Sequence, residues 1–77
     1  MLSVDDVKNL IEQGIPRSSA EVTDLTGTSD HFGVTVTSPE FAGKSLIEQH
    51  KMVQSSLGKH LTTTIHAVDI KTRVLPD

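Results

Sequence analysis

The residues of this chain with the widest chemical range are its four histidines, His31, His50, His60 and His66, because imidazole both ligates metals and exchanges protons near neutral pH. There is no cysteine, so the 77 residues supply no thiolate ligand, disulfide or cysteine nucleophile, and histidine is the only soft-metal donor. The histidines are not spaced as a metal motif. No HExxH pattern or close histidine pair occurs, which argues against a self-contained zinc site. His66 alternates with Val68 and Ile70, so its residues alone make it a partly buried, hydrogen-bonded imidazole. His50 falls on an apolar helical stripe and reads as a core residue bonded to a backbone carbonyl. His60 follows Lys59 near a helix end, where a protonated imidazole suits the dipole.

Enzymatic patterns are missing from the rest of the chain. Serine and threonine are plentiful, but there is no G-x-S-x-G turn, and the glycines at 27, 33, 43 and 58 form neither G-x-G-x-x-G nor a phosphate-binding loop. Asp5-Asp6 reads as helix-start charge. The net charge is −3, with residues 1–43 carrying two basic and seven acidic side chains and residues 44–77 five basic and three acidic. That balance disfavours tight nucleic-acid binding, which needs clustered lysine and arginine. A non-enzymatic chain is expected.

The length allows one small domain, residues 1–77. No apolar run approaches the roughly 20 residues that span a bilayer, and the first residues, MLSVDDVKN, lack the pattern of a secretory signal. The expectation is a soluble cytoplasmic protein, or one of an organelle matrix or stroma after processing.

The elements that must position the histidines follow from periodicity. Ser3 opens a helix with Asp6 three residues on, and Val4, Val7, Leu10 and Ile11 form its apolar stripe until Gly14 and Pro16 stop it. Residues 20–26 are strand-like, but Val22 and Leu25 differ in parity, which predicts an irregular strand or a bulge. After turn residues 27–30, Phe32, Val34 and Val36 alternate with Gly33, Thr35 and Thr37, so the two strands should form a hairpin. Ser38-Pro39 predicts one helical turn through Phe41. The longest amphipathic run is Phe41 to Leu57, with Ser45 as N-cap, Glu48 as its capping-box partner, and Leu46, Ile47, His50, Val53 and Leu57 on one face. Its pattern extends to Leu61 if Gly58, at about 1 kcal/mol, is tolerated inside the helix. A last strand, IHAVDIKTRV, puts His66, Val68, Ile70, Thr72 and Val74 on one face and Ala67, Asp69, Lys71 and Arg73 on the other. The order αββααβ predicts an α+β domain, a three-stranded sheet with helices on one face.

Two blocks, FAGKSLIEQHKMV and IHAVDIKT, resemble the BolA family's F-x-G-x-[ST]-L-x-x-x-H-x-x-V core and its terminal IHALSIKT strand. DHFGVTVTS is similar to the acid-stress-associated, short-loop branch of that family, and together the matches span residues 31–72 at constant spacing. The resemblance implies a class II K-homology-like fold. It also implies a partnership with a monothiol glutaredoxin, sharing a [2Fe-2S] cluster to which the partner brings a cysteine and a bound glutathione the second thiolate. On that pattern His66, at the start of the last strand, is the metal ligand this chain contributes. The isolated chain, a monomer or weak homodimer, would hold no cluster tightly. The implied role is cluster transfer or iron, redox and stress regulation.

A second ligand is expected from the loop between the first two strands. Where family members carry a loop cysteine, the matching position here is Thr28, a poor ligand; His31, on the wet face beside Phe32, is the nearest candidate. The rival reading is DNA binding by a transcriptional regulator. K-homology folds use a G-x-x-G loop, and the matching stretch Phe41-Ala42-Gly43-Lys44 has one glycine. Phe32 and Phe41 are the only aromatics, which leaves almost no stacking platform. Lys44, Lys51, Lys71 and Arg73 are the candidate basic face.

Overall fold

In the computed structural model, which describes residues 3–25, 27, 31–58, 60 and 67–75, the first helix starts at the predicted cap. The Asp6 N–H donates to Ser3 Oγ at 3.1 Å and the Ser3 N–H to Asp6 Oδ2 at 3.0 Å, closing a capping box on α1 (Val4–Gly14). Those bonds from Ser3, backbone first and hydroxyl second, hold the Asp6 carboxyl below its ordinary pKa. Val7 and Ile11 are buried, with Val4 and Leu10 packed beside them. The helix ends where Ile15 turns extended, and the chain then reverses through Arg17, a non-glycine residue at φ +57°. The Arg17 guanidinium pairs with Glu40, and the Glu12 carboxylate accepts the Ala20 N–H at 3.0 Å, tying α1 to the strand that follows.

The strands β1 (Ser19–Asp24) and β2 (His31–Ser38) form the expected antiparallel hairpin. Their register runs unbroken from Ser19 opposite Thr37 to Asp24 opposite Phe32, so the expected irregularity of β1 is absent. Leu25 explains the false signal. It lies past the strand's end, its N–H donates to the His31 carbonyl at 2.9 Å, and its side chain folds over Gly33 on the face away from the core. The third strand, β3 (Ala67–Val74), runs parallel to β2, giving the order β1-β2-β3. Ala20, Phe32, Val34 and Val36 are buried on the inner face, and Val68 and Ile70 pack against that core. The first helix packs on this face, and so does the helix that follows the link from β2.

The link from β2 to β3 begins at Ser38, whose buried hydroxyl donates to the Pro16 carbonyl at 2.9 Å and accepts the Glu40 N–H at 3.0 Å. This caps the predicted single turn, a 3-10 turn over Pro39–Phe41. A second capping box, Ser45 with Glu48, starts α2 (Leu46–Leu57) and lowers the Glu48 pKa in the same way. Counting the 3-10 turn, the element order is the predicted αββααβ.

Two expectations for α2 need correction. Leu46 and Ile47 are 62% and 69% exposed, and His50 is half-buried rather than core. The buried row is Gln49, Val53 and Leu57, four residues apart. Gln49 occupies a core position because its amide is bonded: Nε2 donates to the carbonyls of Lys44 (3.0 Å) and Phe41 (3.4 Å), while Oε1 accepts from the Thr72 hydroxyl of β3. The second correction is the helix end. α2 stops at Leu57 because Gly58 takes φ +58° and ψ −137°, outside the helical region. Leu61, to which an extension was expected, lies outside the described residues.

Candidate functional site

His31 is the first residue of β2, and parity puts it on the outer face with Gly33 and Thr35. In the parallel pairing its partner is Ala67, the first residue of β3 and the one that follows His66 in sequence. The beginnings of β2 and β3 therefore meet at one end of the sheet. His66 and Thr28 themselves lie outside the described residues.

The His31 ring is held with Nε2 buried and without a hydrogen-bond partner among the described residues, although the side chain as a whole is 33% exposed. Among the described residues it has an acidic neighbour in Asp69, whose Oδ2 lies 3.6 Å from Nε2 and whose side chain is 74% exposed. Leu25 and Asp69 border the same outer-face groove, which Glu21, Thr23, Thr35 and Lys71 continue along the sheet. Among the described residues no three histidine or acidic side chains cluster as a metal cage. One imidazole and one carboxylate cannot close the four-ligand set of a [2Fe-2S] cluster, so any cluster held at this end must draw its remaining ligands from elsewhere.

The candidate basic residues do not share one surface. Lys71 and Arg73 stand on the outer face of β3, where Asp69 precedes them. Lys51 lies on the helical side, in a groove with Gly14, Ile15, Met52, Ser55 and Ser56. Lys44 precedes the cap of α2, with its carbonyl bonded to Gln49. His60 borders a third groove, with Asp6, Asn9, Leu10 and Gln13 of α1.

Sequence reasoning gave no role to Asp69 or Gln49. The parity of Asp69 was legible, but its approach to His31 depends on the parallel register, which no local pattern encodes. Gln49 had a signal in its spacing to Val53 and Leu57, hidden by the more apolar Leu46 and Ile47. Among the described residues no helix is long and apolar enough to cross a membrane.

Comparison with known proteins gives a consistent result. A family model described as BolA-like protein matches residues 9–75. The chain is 33% identical over 75 residues to the uncharacterized protein RP812 of Rickettsia prowazekii, covering 97% of each. It is also 33% identical over 51 residues to the DNA-binding transcriptional regulator BolA of Escherichia coli, covering 66% of this chain and 49% of that protein. The structure of a bolA protein homologue from Coxiella burnetii matches with a TM-score of 0.79 at 34% identity, over 96% of this chain and 92% of that one.

Proposed function

This chain belongs to the BolA-like family, and on that footing we propose that it is a non-catalytic adapter that pairs with a monothiol glutaredoxin and co-ligates a [2Fe-2S] cluster. The observation that carries the proposal is the place of His31, a partly exposed side chain at the first position of β2, opposite Ala67, the residue that follows His66 in sequence. His66 is the principal ligand on this reading and His31 the second. The partner's cysteine and a bound glutathione complete the set that this chain's own donors cannot close. When bound, the cluster supplies a one-electron redox centre whose potential rises as neutral imidazole replaces thiolate. What this chain does on this reading is present His31 at the end of the sheet where β2 and β3 begin, opposite Ala67, the residue that follows His66 in sequence. Such a complex suits transfer of the cluster or sensing of iron and redox state, in the cytoplasm or an organelle matrix.

The test mixes the purified chain with a cluster-loaded monothiol glutaredoxin and glutathione, and follows visible absorption and circular dichroism. The expected result is a hetero-complex spectrum distinct from that of the glutaredoxin alone, changed by His66→Ala and less strongly by His31→Ala. If the wild type gives no hetero-complex, the adapter reading fails. An unchanged spectrum with His66→Ala removes that ligand assignment alone.

The second reading, a DNA-binding regulator, rests on the similarity to the Escherichia coli transcriptional regulator. The residues involved would be Lys71 and Arg73, with Lys44 and Lys51. Acidic Glu21 and Asp69 border the same outer face as Lys71, and they weaken its attraction for phosphate. A mobility shift at physiological salt separates the readings: binding lost with Lys71→Ala and Arg73→Ala but indifferent to His66→Ala favours the regulator.

A further inference from the structure

We infer that Asp69 is a positioning residue for the second ligand: it keeps the proton of neutral His31 on Nε2 and so leaves Nδ1 as the nitrogen with a free lone pair. This rests on the reading of His31 as a ligand, but it concerns the chain by itself. Neutral imidazole carries one N–H and one lone pair, and the environment of the two nitrogens decides which is which. Nε2 is buried away from water and has no acceptor or donor within hydrogen-bond distance among the described residues. The charged group near it is the Asp69 carboxylate at 3.6 Å.

A lone pair at Nε2 would be both unsatisfied and repelled by that carboxylate, whereas a proton there is attracted to it. The separation exceeds a hydrogen bond, so the effect is electrostatic. Burial of the nitrogen strengthens the interaction, and solvent around the exposed carboxylate screens part of it. The side chains of Asp69 and His31 are neighbours only because β2 and β3 pair in parallel, with Gly33 opposite Asp69 and His31 opposite Ala67. Gly33 has no side chain to stand between them, although Leu25 leans over it. The arrangement has the form of the carboxylate–histidine pairs that fix a ligand's tautomer at metal sites.

The test is long-range proton–nitrogen NMR on the isolated, uniformly nitrogen-15-labelled chain at about pH 8.5, where an ordinary imidazole is neutral. The His31 spectrum of the wild type should show a protonated Nε2 and a bare Nδ1. Asp69→Ala should shift the two nitrogens toward averaged values as the other tautomer gains population. Asp69→Asn, which removes the charge at nearly constant shape, should shift the nitrogens in the same direction as Asp69→Ala. In the glutaredoxin mixture, Asp69→Ala should weaken the hetero-complex about 10-fold to 100-fold, the range seen when outer-shell partners of metal ligands are removed. Nitrogen shifts of His31 that are identical in wild type and Asp69→Ala overturn the inference, as does a wild type whose bare nitrogen is Nε2. Because the NMR arm needs neither cluster nor partner, a wild type that fails to pair with glutaredoxin defeats the proposed function while leaving the tautomer result to stand.

Discussion

Replacing Gly14 by alanine tests how closely the two helices approach. A β-carbon built on Gly14 would sit 2.6 Å from the Ser56 Cβ and 3.0 Å from the Ser56 Cα, and neither atom is the far end of a flexible side chain. α1 and α2 must move apart, or α1 must fray its last turn. Overpacking of this kind costs about 1–3 kcal/mol. Alanine's better helix propensity offsets at most about 1 kcal/mol, and less at a helix terminus. The net expectation is a loss of about 1–2 kcal/mol. In a domain of this size each kcal/mol moves the melting temperature by about 4–8 °C, so Gly14→Ala should melt roughly 5–15 °C lower. Thermal and urea unfolding followed by far-UV circular dichroism would measure it. A double-mutant cycle with Ser56→Gly locates the cause: deleting the Ser56 Cβ removes the 2.6 Å contact, and the pair should show a favourable coupling of about 1 kcal/mol. A Gly14→Ala protein as stable as the wild type, or additive losses in the cycle, would refute the close approach.

Gln49→Ala removes a side chain bonded to two loop carbonyls and to Thr72, and should cost about 2 kcal/mol in urea unfolding, most of it from polar groups left without partners. Leu46→Gln and Ile47→Gln should change stability by no more than about 0.5 kcal/mol because both side chains are exposed, whereas Leu57→Ala should cost about 2–5 kcal/mol. Glu48 is held at a lowered pKa by the Ser45 N–H and hydroxyl. Its folded-state pKa lies below the unfolded value, so its contribution is present above that value, about 4.3, and is lost as pH falls through the folded one. The stability difference between wild type and Glu48→Gln should therefore be full at neutral pH and shrink as the pH falls below the unfolded-state value; a difference that does not change with pH would contradict the capping-box origin of the shift.

The helix starts were legible in the sequence because a capping box is a local chemical device: Ser3 with Asp6 and Ser45 with Glu48 each satisfy bonds three residues apart. The inner row of β2 was legible for a similar reason, since Phe32, Val34 and Val36 alternate without interruption. What the sequence concealed is set by tertiary neighbours. Leu46 and Ile47 are as apolar as core residues, yet the face of α2 that meets the sheet is fixed by Gln49's bonds to Phe41, Lys44 and Thr72. Likewise Leu25 imitates a strand residue but belongs to the end of the hairpin, where it covers Gly33.

The same distinction explains why the end of the sheet carrying His31 could be named from sequence only in part. A hairpin brings the end of one strand to the beginning of the next, so Asp24 and Phe32 are neighbours by necessity once β1 and β2 pair. β2 and β3 are joined differently: the connection crosses over through the 3-10 turn and α2, and the strands run parallel. A parallel pair aligns two beginnings, so the first residues of β2 and β3, His31 and Ala67, lie side by side although 36 positions separate them in the chain. Had β3 returned antiparallel, its first residues would have lain beside Ser38, at the far end of β2, and Asp69 could not approach His31. The crossover thus sets the distance between chemistry-bearing residues that local patterns leave apart, and α2, apolar enough to be the most visible element in the sequence, belongs to the connection that makes β3 parallel to β2.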